Sequence, residues 1–277
     1  DYEDLCNHLE YLKPLYSWDI NKSDSYQTLE LQVLVEKLYR ELKLNDNEEN
    51  QIRNFIFSLL YISHFSCLLH LDEVTDELKT YTKTDDCKLS EVFEYFLKRK
   101  CPFISKDYPY IVISKEAYKY IFAIIKFDTG LIDAEILPSL IYYMADREEG
   151  GLFGHKTSFV NVEKVLQPLF LEDMQKKADL STKESIYQVI NNIYVTTVFD
   201  PTNSPGCYLV ASYNGLTQQL RDIESKFHIS YNKPLDISQF VALVGNDFAA
   251  KLTRLGLVFV HTKELCRLGL LSFEKIN

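Results

Sequence analysis

The stretch "VFDPTNSPGCYLV", residues 198–210, places an acid, two prolines and a glycine between two apolar segments. This pattern predicts a buried strand that ends near Asp200, a tight turn and then a helix. Nucleotide-like cofactors use this arrangement, because they bind beyond the carboxyl ends of parallel strands. The turn, however, has Ser204 and Pro205 where close approach of the backbone to a ligand favours glycine. We therefore interpret the stretch as a candidate cofactor loop with an altered turn.

Strand and helix patterns alternate around this loop. The segment "NIYVTTVFD" (192–200) is rich in β-branched and aromatic residues and predicts a strand buried on both faces. Residues 208–225 predict a helix, and "ISQFVALV" (237–244) predicts a second strand. The segment "NDFAAKLTRLG" begins a second helix, and "GLVFV" (256–260) predicts a short third strand. This order predicts a parallel sheet of the doubly wound kind.

The first part of the chain is predicted to be mostly helical. Apolar residues at i, i+3, i+4 and i+7 predict helices around 31–38 and 52–60. Further helices are expected at about 89–99 and at 114–126, the latter capped by Ser114. A helix is also expected from 158, with Thr157 or Ser158 as its cap. We divide the chain into a helical domain at 1–150 and an α/β domain at 151–277.

Composition excludes several classes of protein. The net charge of −10 over 277 residues argues against a strongly basic surface for nucleic acid, so a DNA-binding part is expected elsewhere. The six cysteines are scattered and form no CxxC pair, which predicts reduced thiols in a cytoplasmic protein and no zinc site. The most apolar stretch, 55–71, contains two histidines and several serines. It predicts a core helix, with no association with a membrane.

Four segments then occur in a specific order: "FDTGLIDAEILPSLIYYM" (127–144), "GHKTS" (154–158), "DPTNSPG" (200–206) and "ALVGNDFAA" (242–250). In this order they resemble motifs of adenine-N6 DNA methyltransferases. The resemblance is closest to the large bacterial enzymes that combine methyltransferase and restriction functions in one polypeptide. That family has a G-x-H-Y-T-S-like motif, a D-P-x-C-G-S-G loop, and a strand ending in G-I-E before a helix that begins F-A-A. The resemblance covers roughly the second half of the chain.

The resemblance implies an α/β fold, with a mostly helical amino-terminal region followed by part of a doubly wound, Rossmann-like methyltransferase domain. It also implies S-adenosylmethionine as cofactor. The matched motifs assign cofactor-binding positions to Thr157, Asp200, Pro201, Thr202, Gly206 and Val244. Asp200 is expected to help hold the methionine part of the cofactor. The alternative for Asp200 is an acid at a strand end that caps the next helix, as in any α/β protein.

Departures from the family pattern affect each of these motifs. Asn203, Ser204 and Pro205 stand where the family has Cys, Gly and Ser, and Lys156 replaces an aromatic residue. The family's acid that binds the ribose hydroxyls is replaced by Val244, which cannot accept hydrogen bonds. An alignment shifted by three residues would instead recruit Asp247. The catalytic N-P-P-[YF] loop, which holds the flipped adenine, is absent from these residues, so no catalytic residue is assigned. The substitutions predict weak or absent cofactor binding.

Two functions follow as hypotheses. In the first, the chain is the amino-terminal part of an active or split adenine methyltransferase. Its N-P-P loop and DNA-recognition domain would lie on a missing remainder or on a partner chain, and this chain alone would be inactive. The first residue, Asp1, is compatible with such a fragment. In the second, the chain is a pseudo-methyltransferase scaffold that binds a protein partner, or DNA through one, in a restriction or phage-defence assembly.

A metal-dependent nuclease is the third possibility considered. The nuclease motif (D/E)-x-K occurs as "ELK" at 41–43 and at 77–79, but both copies lie in helix-like or polar contexts rather than in a strand. We therefore predict neither a nuclease nor a metal site.

Overall fold

A computed structural model of the protein describes residues 23–68, 111–129, 159–177, 180–201, 206–244 and 247–271. The described residues fall into two compact units, one ending at 129 and the other beginning at 159. The helix expected at 89–99 lies outside the described residues, as do Thr157 and Thr202. The domain boundary at residue 150 also falls outside them and stays a prediction.

The first unit contains three helices: α1 (Ser23–Leu44), α2 (Glu49–Leu68) and α3 (Lys115–Ile125). All three were predicted and are confirmed. Ser114 caps α3 as expected, because its Oγ accepts a hydrogen bond from the backbone N–H of Ala117 at 3.1 Å. The "ELK" at 41–43 lies in the last turns of α1, so it is not part of a strand.

The apolar residues that gave the helical periodicity form the core of this first unit. Leu31 and Leu38 of α1, Phe55 and Ile56 of α2, and Ile121 of α3 are fully buried. None of the helices in the described ranges has the length and apolar character needed to cross a membrane.

Hydrogen bonds across the first unit hold its helices in register. Asn47, between α1 and α2, donates through Nδ2 to the carbonyl of Val112 at 2.9 Å and accepts from its N–H at 2.7 Å. The Oγ of Ser63, buried in α2, donates to the carbonyl of Ile124 in α3 at 2.6 Å. These bonds tie the connection between α1 and α2, and α2 itself, to the segment that contains α3.

The second unit begins with helices and continues into a small parallel sheet. Helix α4 (Phe159–Leu166) passes through a π-helical turn (Gln167–Leu171) into α5 (Glu172–Lys177), and α6 (Lys183–Val195) follows. Strand β1 (Val198–Asp200) leads to α7 (Cys207–Phe227). A 3₁₀ turn (Ile237–Gln239), strand β2 (Phe240–Ala242) and α8 (Asp247–Arg267) complete the described part.

The two strands pair in parallel, with Val198 opposite Phe240, Phe199 opposite Val241 and Asp200 opposite Ala242. The order strand, helix, strand, helix agrees with the predicted doubly wound topology. A mostly helical region followed by part of a Rossmann-like domain is therefore the architecture of the chain.

The strand predicted at 256–260 is wrong, and the one predicted at 192–200 is present only at 198–200, where Phe199 is 59% exposed rather than buried. Residues 192–195 belong to α6, which starts at a capping box formed by Thr182 and Ser185 and buries Ile186 and Ile193; β1 begins only at Val198. Residues 256–260 lie inside α8, and 257–260 are all buried. The second predicted strand, 237–244, is confirmed only at 240–242, because a 3₁₀ turn precedes it.

The π-helical turn fixes α4 and α5 against α7. Pro168 has no N–H to donate, which favours a local departure from the α-helical ladder. A Cβ built on Gly215 of α7 would lie 2.7 Å from Cδ1 of Leu171, so the turn packs directly on the glycine. Gln219 of α7 also donates through Nε2 to the carbonyl of Leu171 at 3.0 Å.

A buried carboxylate joins α7, α8 and the segment that precedes β2. Glu264 is 1% exposed. It accepts hydrogen bonds from Tyr231 Oη at 2.6 Å, from Arg221 Nη2 at 2.5 Å and from Arg267 Nε at 2.9 Å. Burial alone would raise the pKa of Glu264, but these three donors outweigh it and hold that pKa below its usual value. We call these four residues the Glu264 cluster.

A second polar contact links α8 to α7, and its tyrosine also packs on β2. The Oη of Tyr213 lies 3.1 Å from Nδ1 of His261, and the ring of Tyr213 packs against Phe240 with centroids 5.2 Å apart. Burial lowers the pKa of His261, and this effect outweighs its backbone hydrogen bond to Leu235. The imidazole is therefore neutral at pH 7, as a partner for a tyrosine hydroxyl inside a packed unit should be.

We predict that Glu264→Gln lowers the free energy of unfolding by about 2–3 kcal/mol, because it removes three charge-assisted hydrogen bonds. The loss stays moderate because both arginines are partly exposed and can be hydrated. Chemical denaturation would measure it. Glu224→Gln is the matched control: Glu224 contacts Arg267 at 3.2 Å in a partly exposed ion pair, so about 0–1 kcal/mol is expected. Equal losses in the two variants would contradict a structural role for the cluster.

The depressed pKa of Glu264 also predicts a pH dependence. Its folded pKa lies below the unfolded value of about 4.3, so its contribution is complete above that pH and is lost as the pH falls through the folded pKa. Denaturation at a series of pH values should show the unmodified chain losing stability on acidification more steeply than Glu264→Gln. Parallel pH profiles would show that the folded state does not perturb this carboxyl group.

Candidate functional site

The register of the two strands defines one edge at which most of the described candidate residues meet. Asp200 ends β1, is 4% exposed, and accepts a backbone hydrogen bond from the N–H of Leu243 at 2.9 Å. Pro201 follows Asp200, and Val244 follows Leu243. Since β1 and β2 are parallel, Pro201 and Val244 both lie beyond the carboxyl ends of their strands, at the same edge of the sheet. This is the edge where doubly wound folds bind ligands.

Gly206 is the residue at the N-cap of α7, and it has a left-handed backbone with φ of 88°. A Cβ at this position would lie 2.8 Å from the Cα of Thr253 in α8. Both the backbone conformation and the close helix contact therefore require glycine. Sequence reasoning expected glycine here for close approach of a ligand, whereas the structure shows a packing requirement between α7 and α8.

A groove of about 760 Å³ runs along β1. One side is formed by six consecutive residues, Thr196–Pro201. The opposite walls come from α4 to α7 and include the apolar Leu166, Phe170 and Met174. This volume lies within the range of small-molecule sites.

Polar groups in the groove are few. Asp173, Asn192 and Asp200 line it, together with Tyr208 and Ser212 of α7. Ser212 is fully buried, and its Oγ has no hydrogen-bond partner. Sequence reasoning missed Tyr208 and Ser212. Their spacing of four residues on a predicted helix directly after the loop is the signal that would have placed them on one face.

The second strand supplies no acid at the position expected for ribose binding. Val244 is half-buried, two residues past the end of β2. Asp247, the alternative from a shifted alignment, is the exposed first residue of α8. Within the described part of the chain, no group of histidine, cysteine and acidic residues could hold a metal ion.

The structure thus places Asp200, Pro201 and Val244 at one edge of the sheet, and Gly206 at the N-cap of α7 against α8. Thr157 and Thr202 cannot be placed, since both lie outside the described residues. The same is true of the substituted positions Lys156 and 203–205. The arrangement of the described residues offers a buried carboxylate, an apolar groove and a helix N-terminus, but no hydrogen-bonding side chain at Val244.

Comparison with known proteins gives two matches, and no protein-family model matches the chain. The sequence is 24% identical over 257 residues to DNA methyltransferase A of Bacillus subtilis (strain 168), covering 80% of this chain and 29% of that protein. The structure matches the Type IIL restriction-modification enzyme MmeI, solved in complex with DNA, with a TM-score of 0.67 and 19% identity. That match covers 87% of this chain and 37% of the enzyme.

These matches confirm the resemblance to large methyltransferases of restriction-modification systems, and the chain is methyltransferase-related. The fold shared with the Type IIL enzyme extends over the helical region as well as the second half of the chain. The chain spans less than two fifths of the length of either relative.

We predict that Gly206→Ala lowers the free energy of unfolding by about 2–4 kcal/mol. The alanine would have to adopt a left-handed backbone conformation, and its Cβ would lie too close to Thr253. Gly269→Ala is the control. Gly269 has φ of 66°, but no atom lies within 4 Å of its added Cβ, so only the backbone cost of about 1–2 kcal/mol is expected. Urea denaturation of both variants measures the difference. Equal destabilisation would show that Thr253 does not constrain Gly206.

Proposed function

We propose that the chain is part of, or derived from, an adenine-N6 DNA methyltransferase of a restriction-modification or phage-defence system. Such an enzyme transfers a methyl group from S-adenosylmethionine to the amino group of adenine. The observation that supports this best is the parallel strand pair with buried Asp200 at its carboxyl edge, in a chain similar to a DNA methyltransferase. We further propose that this chain is inactive alone.

The proposed cofactor position is the carboxyl end of the groove, beside the turn that follows β1. Asp200 would interact with the methionine part, and Pro201 would border the same end. Thr157, Thr202 and Gly206 complete the proposed set by their places in the matched motifs. When bound, S-adenosylmethionine would supply an activated methyl group. The role of the residues described is to bind and orient it.

We propose weak or absent binding of S-adenosylmethionine because the site lacks an acceptor for the ribose hydroxyls of the cofactor. The ribose hydroxyls of the cofactor are donors that need an acceptor at the edge of β2, and the side chain of Val244 offers none. Losing hydrogen bonds to a charged acceptor costs about 1.5–3 kcal/mol each. Pro205 removes a backbone donor from the loop, and Ser204 adds a Cβ where the family has glycine.

Binding of DNA is proposed to depend on a further domain or on a partner chain. The net charge of −10 opposes unaided binding to the phosphate backbone at physiological salt. The solved relative is a DNA complex, but this chain covers only 37% of it. The parts that contact DNA need not lie in these 277 residues.

A pseudo-methyltransferase scaffold that binds a protein partner is the second candidate function. Val244 at the edge of β2 favours it, because the family's ribose-binding acid is replaced by a residue that cannot form hydrogen bonds. The absence of an N-P-P motif from the 277 residues is consistent with both candidates. An N-P-P motif encoded directly downstream would favour the enzyme over the scaffold.

Calorimetric titration with S-adenosylmethionine tests the proposed site. We expect the unmodified chain to bind with Kd above about 1 mM or not at all. The double variant Ser204→Gly/Val244→Glu should bind roughly 10- to 100-fold tighter, because it restores an acceptor for the ribose and a glycine in the loop. Micromolar binding by the unmodified chain would contradict the disabled pocket.

The control variant is Ser204→Gly/Val244→Gln, which keeps the size of the new side chain but removes its negative charge. It should recover less affinity than the variant with a carboxylate. If neither variant binds, the carboxyl edge of the sheet is not a cofactor site, and the scaffold becomes the better proposal.

A further inference from the structure

A half-buried histidine connects two helices of the second unit to the segment that leads into β2. His261 lies in α8, and its Nδ1 is 3.1 Å from Oη of Tyr213 in α7. The two rings meet edge to face, with centroids 6.1 Å apart. The imidazole also forms a hydrogen bond with the backbone of Leu235, in the segment before β2. We call Tyr213, Leu235 and His261 the His261 latch.

One arrangement of protons satisfies all members of the latch. A neutral imidazole has one nitrogen that donates and one that accepts. The bond to the backbone of Leu235 favours the protonated ring, so the imidazole donates in it. Nδ1 is then left to accept a hydrogen bond from the hydroxyl of Tyr213. Tyr213 is fully buried, and among the described residues His261 is the hydrogen-bond partner of its hydroxyl.

The latch lies next to the residues at which β2 begins. Leu235 is buried and is followed by the 3₁₀ turn, in which Asp236 accepts a hydrogen bond from the N–H of Ser238 at 2.8 Å. Phe240, the first residue of β2, packs its ring on that of Tyr213. A change in the contact between Tyr213 and His261 therefore acts on the start of β2 from two sides.

Two carboxylates face the imidazole, and both stay ionised while a histidine titrates. Asp236 faces it from the segment before β2, and Glu264 faces it from α8 itself. The hydrogen bond from the backbone of Ser238 holds the pKa of Asp236 below its usual value. Burial opposes ionisation of Glu264, but hydrogen bonds from its cluster, which includes Tyr231 and Arg221, outweigh burial and lower its pKa.

The group that faces the imidazole from α7 is the phenol of Tyr213. Burial raises the pKa of Tyr213 above its usual value, so the phenol keeps its proton at neutral and acidic pH. Of the groups named, His261 alone therefore changes its charge between about pH 5 and pH 7.

We propose that the His261 latch is an acid-sensitive contact whose protonation increases local opening of the segment before β2. An added proton makes both nitrogens of the imidazole donors. Tyr213 can then donate to neither nitrogen, and its buried hydroxyl has no other acceptor among the described residues. A buried donor without an acceptor is costly, so the contact of α7 with α8 is weakened. The proposal does not rest on cofactor binding, because the latch consists of protein groups alone.

The direction of the pH dependence follows from the environment of the imidazole. Burial lowers the pKa of His261 below the unfolded value of about 6.5. The unfolded chain therefore binds this proton more readily than the folded chain. The contribution of the latch is complete above the unfolded pKa and is lost as the pH falls through the folded pKa. This loss begins at a higher pH than the loss that involves Glu264.

Hydrogen exchange of backbone amides in the 277-residue chain tests the proposal. Gln239 and Phe240 are suitable probes, because their N–H groups are hydrogen-bonded within the 3₁₀ turn. After correction for intrinsic exchange rates, we expect their opening constants to be roughly threefold or more higher at pH 5.5 than at pH 7. His261→Asn should remove this dependence, since its amide oxygen can accept from Tyr213 but does not titrate.

His228→Asn is the matched control. His228 is exposed at the end of α7, and its left-handed backbone is one that asparagine tolerates. This variant should keep the pH dependence of the unmodified chain. Tyr213→Phe gives a second test, because it keeps the ring on Phe240 but removes the hydroxyl that needs an acceptor. It should weaken the dependence.

Nitrogen NMR of the imidazole gives an independent readout, with an unprotonated Nδ1 expected for His261 at pH 7.5. A neutral ring protonated at Nδ1 would overturn the proposal. An undiminished pH dependence of exchange in either His261→Asn or Tyr213→Phe would overturn it as well. No cofactor is present in these measurements, so failure of the proposed S-adenosylmethionine site would leave their results unchanged.

Discussion

The parallel register between β1 and β2 is the constraint on which the candidate site depends. Pairing of Asp200 with Ala242 places the ends of both strands, and with them Pro201 and Val244, at one edge of the sheet. The packing of α7 and α8 maintains this register, through the close contact of Gly206 with Thr253 and through the buried Glu264 cluster. The geometry of this edge is thus a consequence of helix packing between protein groups.

Helix packing and cofactor recognition place different requirements on the residues of this edge. An alanine at position 206 would collide with Thr253 of α8, so helix packing alone requires glycine there. Val244 is compatible with the strand end but not with ribose recognition. Packing of α7 on α8 involves only protein groups, so this part of the fold does not depend on a ligand.

Sequence reasoning predicted most of the described helices, though not α6, together with the parallel topology and the position of the loop, because helical periodicity and turn residues are local signals. It failed where local signals were ambiguous. Residues 256–260 are all buried. Their continuous apolar sequence therefore shows neither the helical nor the strand periodicity that would distinguish the two structures. Ile193–Val195 are β-branched or aromatic, yet the capping box at Thr182 and burial of Ile193 extend α6 through them. The Glu264 cluster joins residues 43 positions apart, and no local pattern signals such a contact.

Amide chemical-shift mapping of the Ser204→Gly/Val244→Glu variant with S-adenosylmethionine tests the central claim most directly. The claim is that the carboxyl edge of β1 and β2 is an inherited cofactor site whose fold is intact. It predicts perturbed amide resonances around Asp200, Gly206 and position 244, with the three-helix unit and the Glu264 cluster unaffected. Perturbations confined to the three-helix unit, or none at saturating cofactor, would contradict it.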